Sequence, residues 1–77
     1  MNYNQYISVD PEILQGKPRI TGTRISVEFI LELLSLGYSI SDILDDYPQL
    51  TQKQILAVLD FARERIHNEY DQERAAS

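Results

Sequence analysis

A chain of 77 residues with no cysteine leaves little room for a second domain, and it excludes disulfide staples, thiolate metal sites and cysteine nucleophiles. With 43% hydrophobic and 25% charged residues it reads as globular, and a net charge of −5 argues against the broadly basic surface of a non-specific nucleic-acid binder. The charge is uneven. Lys17, Arg19 and Arg24 outnumber Asp10 and Glu12 over residues 1–26, whereas over 27–62 Lys53 stands alone against Glu28, Glu32, Asp42, Asp45, Asp46 and Asp60.

The N-terminal segment YISV, residues 6–9, alternates and carries β-branched side chains, so a short strand is expected there. In DPEILQG, Asp10 suits an N-cap, Pro11 the first helical position and Gly16 a left-handed stop, which together predict one helical turn. KPRITGTRI then predicts a tight hairpin about Thr21-Gly22. With a two-residue loop, Arg19 faces Arg24 across the pair. Lys17, Arg19, Arg24 and Ser26 then share one face, and Pro18, Ile20, Thr23 and Ile25 cover the core. Like charges held opposite each other are unfavourable, so such a cluster calls for a nearby carboxylate or phosphate.

From Ser26 the period changes. SVEFILELLSLG predicts a first helix with Ser26 as N-cap and Gly37 just past its end. Glu28, Glu32 and Ser35 fall on one narrow strip, and apolar residues take most of the remaining circumference. A helix of this kind is buried on more than one side, which in a small domain favours a dimer. Ser39 and Asp42 predict a capping box opening a second, shorter helix that Pro48 ends. Thr51 and Gln54 predict the same device at the start of a third helix running to Tyr70. Its main stripe is expected to be Ile55, Leu59, Ala62 and Ile66, widened by Val58 and Phe61, with Leu56 off the stripe. The tail, 71–77, has little to bury and is expected to fray.

The long segment from Ile7 to Ala62, with its elements DP, GKP-x-I-x-GTRI-x-V, G-x-S-x-x-x-I and YP-x-L-T, resembles domain-of-unknown-function family 433. That resemblance implies a homeodomain-like trihelical unit, mainly α, preceded by a short N-terminal β element. It also implies an antitoxin role in a two-component toxin–antitoxin pair whose usual neighbour is a nuclease-like toxin of the PIN type. On this reading residues 1–26 form a strand, turn and hairpin arm, 27–70 a helix-turn-helix unit, and 71–77 a tail, all in one domain.

Two contact sets follow. For nucleic acid or another anion, the candidates are Lys17, Arg19 and Arg24 on the hairpin, together with Gln52, Lys53 and Gln54 in the first turn of the third helix. Asp45, Asp46 and Asp60 repel phosphate, and the carboxylates of this chain or of a twin copy are the commoner destination for the cations. A bidentate carboxylate contact is the favoured reading for Arg24. For a homodimer interface, the candidates are Phe29, Ile30 and Leu33 on the first helix and Leu56, Val58 and Phe61 on the third. The acidic tail, with Glu69, Asp71 and Glu73 against Arg74, fits either a basic partner groove or a solubilising end.

The lone His67 has no companion ligands at metal spacing, and no glycine-flanked nucleophile accompanies it. Asp45 and Asp46 are adjacent on a helix and so diverge by ~100°. The expectation is therefore a non-enzyme that needs no cofactor. No apolar run reaches the ~18 residues of a membrane span, and the first ten residues lack a signal-peptide layout. A soluble, cytoplasmic protein is expected.

Overall fold

The computed structural model describes residues 3–76, with side chains through Glu69. Its elements run in the order β1 (Ile7–Ser8), β2 (Arg19–Ile20), α1 (Val27–Ser35), α2 (Ile40–Asp46) and α3 (Gln52–Ala76). A short antiparallel strand pair precedes three helices, so the fold is mainly α. α1, α2 and β1 all pack on α3, and the core gathers Ile7, Ile20, Val27, Ile30, Ile43, Leu50, Ile55, Ala57 and Val58.

The helix starts follow local chemistry. The Ser26 hydroxyl accepts the Phe29 N–H at 2.9 Å and caps α1. Ser39 and Asp42 form a complete capping box on α2. Thr51 and Gln54 do the same for α3, with the Thr51 N–H donating to Gln54 Oε1 at 2.8 Å. α1 ends in a Schellman motif: Gly37 at φ 99 lets its N–H reach the Leu34 carbonyl, while the Tyr38 N–H reaches that of Leu33. α3 stays helical through Ala76, past the expected end at Tyr70, and Ser77 lies outside the described residues.

The arm departs from its predicted form. β1 pairs with β2, placing Ile7 opposite Ile20 and Ser8 opposite Arg19. Across the turn Arg19 bridges to Ser26 rather than to Arg24, and the Ile20 N–H donates to the Ile25 carbonyl. The loop is therefore Thr21–Arg24, four residues long. The Thr23 hydroxyl holds it closed, donating to the Ile20 carbonyl at 2.8 Å and accepting from the Ile25 N–H at 3.0 Å. Two extra loop residues remove Arg24 from the ladder, so no shared basic face of Lys17, Arg19 and Arg24 forms.

DPEILQG also differs. Asp10 closes an Asx turn onto the Glu12 N–H, but Leu14, Gln15 and Gly16 then have φ of 52, 58 and 79. Three successive left-handed residues, bonded from Gly16 N–H to the Ile13 carbonyl and from Lys17 N–H to the Leu14 carbonyl, make a left-handed turn. For L-residues such a conformation costs about 1–2 kcal/mol each, with glycine exempt.

The apolar surplus of α1 is mostly absorbed by the chain itself, since Leu31, Leu33 and Leu34 are half-buried against the core. On α3 the expected stripe is covered at Ile55 and Val58 and left open at Leu59 and Ile66. Ala57 and Val58 are wholly enclosed, whereas Leu59 is 39% and Ile66 67% exposed.

Candidate functional site

The left-handed turn forms one wall of a cleft of about 520 Å³, lined by Leu14, Gln15, Lys17, Arg24, Ile25, Ser26 and Phe29. Its floor is apolar and its rim carries two cations. Lys17 Nζ lies 3.7 Å from Glu28 Oε2, an exposed pair of little energetic weight. Arg24 stands exposed and, among the described residues, meets no carboxylate, contrary to the bidentate contact expected for it. The capped start of α1 adds its partial positive charge beside Ser26.

Arg19 is a different kind of cation. It is half-buried, its Nη1 donates to the Thr23 carbonyl at 3.0 Å, and its buried Nε finds no acceptor among the described residues. It braces the Thr21–Arg24 loop through its contact with the Thr23 carbonyl.

A second concavity, about 650 Å³, lies at the start of α3 between Tyr6, Gln49, Thr51, Gln52, Lys53 and Gln54. Gln52 and Lys53 are exposed there. The Gln54 side-chain oxygen is engaged by the Thr51 N–H, so this amide is a capping group before it is a base reader. Asp42, Asp45 and Asp46 stand exposed on α2. The Asp42 carboxyl is held below the ordinary aspartate range, first by the backbone N–H of Ser39 and then by the Ser39 side chain. Asp60 is largely enclosed and bonded to Arg63 at 3.1 Å.

The residues expected at a dimer interface separate into two groups. Ile30 and Val58 have no exposed surface, so they belong to the chain's own core and are removed from that set. Phe29, Leu33 and Phe61 are half-buried, and Leu56 is 37% exposed. Phe29 meets Tyr47 edge to face, and Phe61 meets Tyr3 likewise at 5.3 Å between centroids, with Arg65 over the Phe61 ring. Packing against α3 raises the Tyr3 phenol above its ordinary value, with the Glu64 charge and hydrogen bond adding to it.

Leu14 and Gln15 were not among the expected site residues. Neither has a composition signal, and only Gly16 marked the turn. Among the described residues no three His, Asp or Glu side chains gather as metal ligands, and no helix is long and apolar enough to cross a membrane. His67 is exposed on α3. The tail side chains Asp71, Glu73 and Arg74 lie outside the described residues.

No curated relative matches the chain. A crystal structure of a DUF433 member protein from Anabaena variabilis superposes with a TM-score of 0.75 at 28% identity, covering 92% of this chain and 69% of that one. The family model described as protein of unknown function, DUF433, matches residues 7–62, the span that holds the strand pair, the left-handed turn, both capping boxes and the cleft. The chain belongs to the DUF433 family.

Proposed function

We propose that this protein is a non-catalytic docking module, the antitoxin partner of a nuclease-like toxin, and that it works as a homodimer in the cytoplasm. The observation that carries this reading is the charge of the helix-turn-helix face. Asp42, Asp45 and Asp46 stand exposed on α2, and Lys53 is the sole cation on α2 or the first two turns of α3. A duplex would be repelled by that face, whereas the cationic substrate path of a nuclease would be attracted to it. The toxin class is the expectation raised by the sequence motifs, and the acidic face of α2 supplies a physical reason for the fit. Co-expression with the product of the adjacent open reading frame tests it: the two should purify as one complex, and failure to associate with any neighbour product contradicts it.

One observation favours a second reading as a DNA-binding autorepressor. Gln52 and Lys53 project from the first turn of α3, the place where a recognition helix meets base edges. A salt-dependent shift of the protein's own upstream DNA, weakened by Lys53→Ala, supports this reading, and no shift at low salt removes it.

A further inference from the structure

We infer that the cleft beside the left-handed turn is a second docking site, and that its occupant is a segment of a partner protein carrying an apolar side chain with carboxylates on either side. None of the residues lining it belongs to α2, so the site stands apart from the toxin contact proposed above. Three observations carry it.

The first is apolar surface that the core does not use up. Leu14, Ile25 and Phe29 line the cleft and are only half-buried. Ile25 and Phe29 pack on the core, whereas Leu14 lies outside both the core and the apolar residues packed on it. Leu14 holds φ 52, a conformation that costs an L-residue energy, and its side chain gains no core burial in return. The cleft, at about 520 Å³, lies within the ~300–1,000 Å³ of cavities that enclose a ligand.

The second is charge complementarity. Lys17 and Arg24 rim the apolar floor, and Arg24 has no carboxylate partner among the described residues. Lys17 meets Glu28 at 3.7 Å with 54% and 78% of the two side chains exposed, so an incoming carboxylate displaces a weak pair. In a chain of net charge −5, this rim attracts an acidic partner that most of the surface repels. The floor then decides between anions. A phosphate or a nucleic-acid backbone brings nothing to cover Leu14, Ile25 and Phe29. A phenylalanine or leucine side chain covers them while its flanking carboxylates reach the rim.

The third is preorganisation. Arg24 follows a residue fixed on three sides. The Thr23 hydroxyl donates to the Ile20 carbonyl at 2.8 Å and accepts the Ile25 N–H at 3.0 Å, and the Thr23 carbonyl accepts Arg19 Nη1 at 3.0 Å. Phe29 is held edge to face by Tyr47. Loop and floor are set before a partner arrives, which lowers the ordering cost of binding. On the wall, the exposed Gln15 offers a primary amide that both donates and accepts, the combination a peptide unit requires. That amide favours a protein segment over a free organic acid.

Amide-resolved magnetic resonance on the isotope-labelled full-length chain tests this, with acetyl-Glu-Asp-Phe-Asp-Glu-amide as the probe at low salt. The probe should move the amides of Gln15, Gly16, Arg24, Ile25 and Phe29 saturably. Replacing its Phe by Ala should weaken binding roughly fivefold or more, and Lys-Lys-Phe-Lys-Lys should leave these amides unmoved. Arg24→Ala and Leu14→Ala, neither in the core, should weaken binding to a similar degree, and Glu28→Gln, which releases Lys17, should tighten it. Spectra unchanged away from the cleft verify that the variants are folded. Shifts centred elsewhere, equal binding of the Phe and Ala probes, or no saturable shift at millimolar probe overturns the site. Inorganic phosphate, a short DNA duplex or phenylpropionate binding the same amides as tightly as the probe overturns the protein segment as its occupant. The toxin contact is read with a different protein and is untouched by any of these results.

Discussion

Phe29 and Tyr47 meet edge to face, ring centroids 5.8 Å apart and planes at 87°. Phe29 sits in the first turn of α1 and Tyr47 caps the end of α2, so this one contact joins the cleft wall to the turn that launches α3. An aromatic pair of this geometry contributes ~0.5–1.5 kcal/mol beyond its area burial. Tyr47→Leu and Phe29→Leu, singly and together, should show a coupling energy in that range by urea denaturation. Additive losses would mean that the rings are neighbours without being partners.

The helix caps make a second prediction. Ser39→Ala removes the hydroxyl that accepts the Asp42 N–H at 3.0 Å and should cost ~1 kcal/mol. Thr51→Ala should cost a similar amount at α3. Thermal melts of both variants with unchanged helical signal would check this. A change within error at both positions would show that tertiary packing, not capping, fixes the helix starts.

Asp42 adds a pH dependence. Its folded-state value is depressed by the Ser39 hydrogen bonds, so the carboxylate form is the one the fold favours. Its stabilisation is fully present above the ordinary aspartate range of ~3.9 and is lost as pH falls through the lower folded value. The melting temperature should therefore decline on acidification below that range, and Asp42→Asn should flatten the decline. An unchanged acid limb in Asp42→Asn would assign the effect to other carboxylates.

The left-handed turn gives a fourth. Gln15 at φ 58 carries a side chain in a conformation that favours glycine, so Gln15→Gly should be neutral or stabilise by up to ~1 kcal/mol. Gly16→Ala should destabilise by ~1 kcal/mol. The nearest atom to an added Cβ is 3.8 Å away, so the cost comes from φ and not from crowding. Denaturant midpoints of the two variants should move in opposite directions or leave Gln15→Gly unmoved. A loss in both would mean that the Gln15 side chain itself holds the cleft.

These particulars also separate what the sequence made legible from what it did not. Ser26, Ser39 with Asp42, and Thr51 with Gln54 act within three residues, so their hydrogen bonds can be read directly from spacing. Gly37 and Pro48 mark helix ends for equally local reasons. The hairpin register is not local in that sense. Thr21-Gly22 looks like a complete two-residue loop, yet the Thr23 hydroxyl closes a four-residue one, and that shift takes Arg24 out of alignment with Arg19. β1 finds β2 across the whole intervening turn, a pairing fixed by Ile7 and Ile20 sharing the core. On α3, periodicity gave an apolar arc that included Ile55, Leu59 and Ile66. How much of that arc is covered depends on where α1, α2 and β1 arrive: Ile55 is wholly buried beside Ala57 and Val58, whereas Leu59 and Ile66 stay exposed.

On the proposed reading, the exposed carboxylates of α2 dock a protein partner. The most direct measurement is the affinity of the purified chain for the adjacent gene's product, compared with that of an Asp45→Lys, Asp46→Lys variant. Both positions are exposed, so folding should be retained. The expected result is a complex that weakens at least tenfold in the variant and with rising salt. Equal affinity for both proteins, or tighter binding of DNA than of any neighbour product, would contradict it.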